Sequence, residues 1–382
     1  MKVLFIVSDA NARGGTEILA YNLLYRLNAI GVESYLLSRW QYTGKDPKVL
    51  SLNKKDFAHW LRLSSNPLNK LLGNKYSDAY FRKVVERIAK AYQVDWIVNH
   101  TYDLINVVPV ASEFKTAQIF NWSIAGYEQN LKSVVLQKRG VSKCISLFSL
   151  KSLIRNWHRN LPRFTRLVLL SEAAKEEMKK VSKQVGIEQI AVIPNPLMKE
   201  SDSTILSSLN NKNIVFVGRF SQEKGVMRLL HIWKLLVDKL SDYTLSIYGE
   251  GHLQKKMEHY ICENALPRVK FKGFCSNLQE IYSTADLCLM TSDTEGFGMV
   301  LIESMYFGVP CISFDCPVSP KEIIADAGET VACFDEQAYA TKVIEMLSNP
   351  DKMKHYQQNA LQRAKSYYIK EVINKWLHLF RN

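Results

Sequence analysis

The sequence predicts an α/β protein built from two doubly wound domains, each a parallel sheet flanked by helices. Short apolar runs of strand length alternate with helical stretches along the whole chain. The alternation is interrupted after Pro194-Asn195-Pro196 by a polar stretch rich in Ser, Asn and Asp that reaches Lys212. The chain of 382 residues also exceeds one ordinary core, since single cores stop growing near ~250 residues. Two domains imply a cleft between them.

The first half opens with a strand at Lys2 to Val7, a polar loop at Ser8 to Gly15, and a helix whose apolar positions include Ile18, Leu19, Leu23, Leu24 and Leu27. Further strands are expected at Val32 to Leu37, Trp96 to Asn99, Thr116 to Phe120, Arg166 to Leu170 and Gln189 to Ile193. The second half restarts at Ile214 to Val217 and continues with Leu245 to Tyr248, Val269 to Lys272, Leu287 to Met290 and Cys311 to Phe314. Tyr367 to Phe380 reads as a closing helix that crosses back to the first domain. The expected division is therefore 1–196, 197–364 and a helix over 365–382.

Composition narrows the class. An apolar fraction of 47% and a charged fraction of 23% are those of an ordinary globular protein. The seven cysteines show no C-x-x-C pairing and mostly sit in apolar runs, which fits buried thiols in a reducing compartment. The apolar run at the N-terminus ends at Ser8-Asp9, too short for a signal peptide, and no stretch of ~20 apolar residues exists to span a bilayer. The expectation is a cytoplasmic protein, with any membrane attachment peripheral.

The net charge of +13 is uneven: residues 1–200 hold 30 basic against 16 acidic residues, the remainder 20 against 21. No acid occurs between Glu128 and Glu172, where nine Lys or Arg are found. Such a block seeks an anionic partner. Its mixture of aromatic and basic residues from Ile145 to Arg159 suits either an anionic membrane surface or a core-facing helix with a solvated basic side. Nucleic acid is not the expected partner, because the basic residues are not set in a recognisable recognition motif.

Two constellations carry chemistry. Gly218-Arg219 follows a strand directly, and Lys224-Gly225 stands where a helix begins. An Arg with its directional donors and a Lys with its point charge, at strand carboxyl ends beside a helix start, suit a diphosphate. The other is Glu295-Gly-Phe-Gly-Met-Val-Leu-Ile-Glu303. Gly296 and Gly298 flank Phe297 with little bulk, so backbone amides can approach a ligand. A helix starting near Gly298 lets Glu295 and Glu303 face one pocket, where carboxylates accept hydrogen bonds from vicinal hydroxyls.

These motifs resemble the retaining glycosyltransferase family 4, and the likeness covers nearly the whole chain. It rests on Gly14-Gly15-Thr16-Glu17, Gly218-Arg219 with Lys224-Gly225, Tyr248-Gly249-Glu250-Gly251, and the pair Glu295 and Glu303. The resemblance implies the GT-B fold of two facing Rossmann-like lobes and a nucleotide-sugar donor, UDP being the commonest, with no other cofactor. It implies that Arg219 and Lys224 hold the diphosphate, that Gly14 and Gly15 close on it from the other lobe, and that Glu303 binds the ribose. Glu295 with the amides of Phe297 and Gly298 would contact the sugar, and Gly273, Phe274 and Cys275 would lie near the base.

Members of that family carry a histidine facing the donor sugar, whereas Phe120-Asn121-Trp122 stands at the corresponding strand end here. Asn121 and His100 are both candidates for that role. Asp315-Cys-Pro-Val-Ser-Pro-Lys-Glu322-Ile-Ile is similar to a segment of bacterial surface-polysaccharide transferases, with Ser319 in place of glycine. A saccharide or lipid-linked saccharide acceptor follows from that likeness. No metal is expected, because two cations already stand where the leaving diphosphate would develop charge, and Asp293-Thr-Glu295 reads as part of the sugar pocket. A nucleotide-sugar epimerase of the same two-lobed architecture stays open at this point. A dehydrogenase is disfavoured because the first loop lacks G-x-G-x-x-G.

Overall fold

A computed structural model describes residues 1–12, 15–67, 69, 75–101, 108, 114–121, 155, 158–182, 184–197 and 204–382. The chain divides into two compact units, Met1–Ile193 with Ile373–Asn382, and Pro194–Val372.

Unit 1 holds a seven-stranded sheet in the order β3-β2-β1-β4-β5-β6-β7. Its strands are β1 Lys2–Val7, β2 Glu33–Ser38, β3 Val49–Ser51, β4 Trp96–Asn99, β5 Lys115–Phe120, β6 Arg166–Leu169 and β7 Ile190–Val192. Every pairing is parallel, with Phe5 level with Leu36 on one side and Val98 on the other. Val3 to Val7 are fully buried, as a strand covered on both faces requires. The last ten residues belong to this unit: Trp96 Nε1 donates to the Phe380 carbonyl at 3.1 Å, and the two rings meet at 5.4 Å.

Unit 2 holds six parallel strands in the order β10-β9-β8-β11-β12-β13. They are β8 Asn213–Val217, β9 Thr244–Tyr248, β10 Val269–Gly273, β11 Leu287–Met290, β12 Cys311–Phe314 and β13 Gly328–Val331. Its core gathers Phe216, Trp233, Tyr339 and Met346. The polar tips of the largest side chains are satisfied: Trp233 donates to the Pro267 carbonyl at 3.0 Å and Tyr339 to that of Ile312 at 2.7 Å. In both units the strand order reverses beside the first strand, between β1 and β4 and between β8 and β11. Ligands of open α/β sheets bind outside the carboxyl ends of strands at such a reversal.

The units divide after Ile193 and Val372, not after 196 and 364 as the sequence pattern indicates. The reason is local: Leu197 donates its backbone N–H to the Tyr367 carbonyl at 2.8 Å, and the Tyr367 ring meets Phe297 edge-on at 5.7 Å. These contacts hold both chain crossings to unit 2.

Candidate functional site

At the carboxyl ends of β8, β9 and β10 the chain turns through glycines that let three backbones meet. Gly218 donates to the Tyr248 carbonyl at 3.0 Å and Gly249 to that of Gly273 at 2.8 Å. Gly249 has φ 132°, and a Cβ there would stand 1.9 Å from the Gly218 oxygen, so no other residue fits. The space left open is a cavity of about 340 Å³ lined by Val217, Gly218, Arg219, Tyr248, Gly249, Glu250, Phe274 and Cys275. The Arg219 side chain is 73% exposed, with Glu223 3.9 Å away. Phe274 is 75% exposed. One side of the cavity thus offers a cation free to reorient and another an aromatic ring.

Across the strand reversal, the turn after β8 and the turn after β11 are bonded to one another. Lys224 Nζ donates to Glu295 Oε1 at 2.7 Å, and Ser292 Oγ donates to the same oxygen at 2.6 Å. Glu295 is only 7% exposed. The Thr291 hydroxyl donates to the carbonyls of Lys224 and Gly225, and Asp293 N–H to that of Glu223 at 2.8 Å. Gly225, at φ 63°, precedes the helix Val226–Leu236. A Cβ there would lie 1.9 Å from the Thr291 oxygen.

Gly298, at φ 88°, starts the helix Met299–Tyr306 and brings Glu303 into its second turn. Burial pushes the Glu303 carboxyl up to about 7, while the Tyr282 hydroxyl, 3.5 Å from Oε2, opposes this by favouring the ionised form. The Phe297 ring is 4% exposed and packs on Tyr367, so its backbone, not its ring, is what it can offer a ligand. Ser319 donates to the Gly296 carbonyl at 3.4 Å and steadies the glycine turn from behind.

In unit 1, His100 and Asn121 follow the neighbouring strands β4 and β5, and Asn121 Nδ2 donates to the His100 carbonyl at 3.0 Å. His100 is 1% exposed, and among the described residues neither of its ring nitrogens has a hydrogen-bond partner, nor does the buried Asn121 Oδ1. Burial pulls the imidazole down to about 3, so it is neutral at ordinary pH. Gly15 is the first residue of the helix Gly15–Ala29, with nothing within 4 Å of where a Cβ would stand. Gly14, Trp122 and most of the acid-free basic segment lie outside the described residues.

Residues 198–363 match the model of the family described as glycosyl transferases group 1. Unit 2 belongs to that family. Over almost its full length the chain is 25% identical to an uncharacterized glycosyltransferase of Haemophilus influenzae, covering 98% of each. Over half of its length it is 32% identical to an alpha-1,4-N-acetyl-D-galactosaminyltransferase of Campylobacter jejuni, covering 55% of that protein, whose name specifies a PP-undecaprenol-linked acceptor. A TarM variant of S. aureus, solved with UDP, Fondaparinux and alpha-GlcNAc-glycerol, superimposes with a TM-score of 0.72 at 14% identity over the whole of both chains. The fold is GT-B.

For this glycosyl transferase, the structure joins Lys224 directly to Glu295 and sets Arg219, Gly218, Gly249, Phe274 and Cys275 around one cavity. Gly296, Phe297, Gly298 and Glu303 follow on the turn and helix beyond β11. Asp293, read from sequence as part of a sugar pocket, has its carboxylate on Arg228 at 2.7 Å. Sequence reasoning passed over Arg228, Ser292 and Thr291. Arg228 lies one helical turn beyond Lys224, which is the one signal available. Among the described residues no cluster of His, Cys, Asp and Glu could hold a metal ion. None of their helices is long and apolar enough to cross a membrane.

Proposed function

We propose that this glycosyltransferase moves a hexose or N-acetylhexosamine from a UDP-sugar to a saccharide acceptor, lipid-linked in the setting of surface polysaccharide or glycolipid assembly. What supports this reading above all is that Lys224, after β8, meets Glu295, after β11, where the strand order reverses, with Arg219 on the same turn as Lys224 and Glu303 on the helix that follows Glu295. The UDP in the TarM complex and the undecaprenol-linked acceptor in the Campylobacter name support donor and acceptor class.

In this reading Phe274 stacks on the base, Glu303 takes the ribose hydroxyls, and Arg219 and Lys224 hold the diphosphate. Glu295 and the amides after it take the sugar. The C1–O bond breaks with its electron pair going to the β-phosphate oxygen, and the acceptor oxygen bonds to C1 on the same face. Its proton passes to the departing phosphate. Placed cations stabilise the charge growing on that phosphate, an effect of about 3 kcal/mol for one such group. The chemistry is metal-independent, consistent with Asp293 being engaged by Arg228 and so not offered as a metal ligand. Of His100 and Asn121, one is the candidate for an uncharged polar contact to a sugar hydroxyl.

Incubation with UDP-sugars and an oligosaccharide-lipid acceptor, with and without EDTA, followed by NMR of the product anomer, tests the proposal. Transfer with a retained linkage in EDTA is expected. An inverted linkage, or loss of transfer on chelation, contradicts it.

A further inference from the structure

Arg228 is not among the residues lining the cavity, yet it is held by several contacts beside the site. One of its nitrogens, Nη1, donates both to the Thr291 carbonyl at 2.9 Å and to Asp293 Oδ1 at 2.7 Å. Its guanidinium carbon lies 4.0 Å from the centre of the Phe334 ring and 5.5 Å from that of Phe314. The side chain is 19% exposed, so water screens these contacts weakly.

The segment it grips is the one that carries Glu295. Thr291 and Asp293 are also bonded to the backbone of Glu223, Lys224 and Gly225, while Gly225 has no room for a side chain against the Thr291 oxygen. Arg228 therefore closes a ring in which the Thr291–Glu295 segment is clamped from both sides. A guanidinium suits this because it can hold a carbonyl and a carboxylate while its carbon stands over an aromatic ring.

We infer that Arg228 is a positioning residue for the donor site: by fixing Thr291 and Asp293 it sets where Glu295 meets the donor sugar. This rests on the proposed reading in which Glu295 contacts that sugar. A role in stability alone would lower the melting temperature and leave ligand discrimination untouched. A positioning role instead changes how much the sugar adds to nucleotide binding.

Calorimetric titration of the full chain with UDP and with UDP-glucose, UDP-galactose, UDP-N-acetylglucosamine and UDP-N-acetylgalactosamine gives the factor by which the best-bound sugar tightens binding over UDP. In Arg228→Met that factor should fall at least fivefold, with the Kd for UDP changed less than threefold. Arg228→Lys should recover part of it. In Glu295→Gln the factor should fall similarly, and Arg228→Met added to Glu295→Gln should lower it no further, because the two act along one route. Asp293→Asn, which loosens the same contact without emptying the space against Phe334, should follow Arg228→Met even if the latter folds poorly. An unchanged factor in Arg228→Met and Asp293→Asn, or effects that multiply in full with Glu295→Gln, overturns the inference. Wild-type protein that binds no UDP, or for which Glu295→Gln changes nothing, overturns the donor-site reading itself.

Discussion

Lys224 and Glu295, 71 residues apart, meet at 2.7 Å with the carboxylate 7% exposed. Each therefore holds the other in place before any ligand arrives, and a diphosphate must compete with Glu295 for the ammonium group. Lys224→Met leaves a carboxylate enclosed without its counter-charge. Breaking such a pair from one side costs on the order of 3 kcal/mol, somewhat less here because Lys224 is partly exposed. The double variant Lys224→Met with Glu295→Gln should recover much of the loss, and urea unfolding of the wild type and the two variants checks this.

Two glycines of the sequence motifs should respond in opposite ways to alanine. Gly225→Ala forces a Cβ into the Thr291 carbonyl from a left-handed backbone, and a loss of at least about 2 kcal/mol is expected. Gly15→Ala meets nothing and opens a helix, so stability should stay within about 0.5 kcal/mol. Thermal melting distinguishes the two directly.

The Glu303 carboxyl titrates near 7 in the folded protein against an ordinary value of 4.5. Between those values the folded state holds a proton that the unfolded state has released, so stability falls as pH rises through this window, with a limiting slope of about 1.4 kcal/mol per pH unit. Glu303→Gln should flatten that dependence and be the more stable protein at pH 8, with a gain of up to about 3 kcal/mol, that slope taken over the window from 4.5 to about 7. The same variant should bind nucleotide worse, since only the ionised carboxylate accepts from both ribose hydroxyls. Urea midpoints at pH 5 and pH 8 test the first statement, and titration with UDP the second.

His100 shows the opposite sign. Its folded value of about 3 lies below the ordinary 6.5, so the unfolded chain takes up a proton first and stability declines as pH drops from 6.5 toward 3. The His100 ring signals in NMR should show no titration between pH 5 and pH 8. A midpoint near 6.5 would mean that the ring is solvated.

Much of this was legible in the sequence because buried parallel strands tend to be continuous apolar runs, and seven of the thirteen strands among the described residues have at least a three-residue run of that kind. Val49–Ser51 and Gly328–Val331 escaped notice: both are short, lie at sheet edges, and mix polar residues into the run. The motif residues could be singled out because glycine, Arg, Lys and Glu at fixed spacing carry their chemistry openly. The Lys224–Glu295 pair could not, since spacing within each motif says nothing about the distance between motifs. The Arg228–Asp293 pair was invisible for the same reason: an Arg on a helix reads as a solvated charge until the turn after the neighbouring strand supplies a carboxylate and a carbonyl.

In the proposed donor site a diphosphate lies between the cations that follow β8 and the acids that follow β11. Titrating the wild-type protein, Arg219→Ala and Glu303→Ala with UDP, GDP, ADP and dTDP tests this most directly. At least one nucleotide should bind the wild type, more than tenfold weaker to each variant, with all three proteins equally folded by circular dichroism. No binding by any of the four, or equal binding by all three proteins, would contradict it.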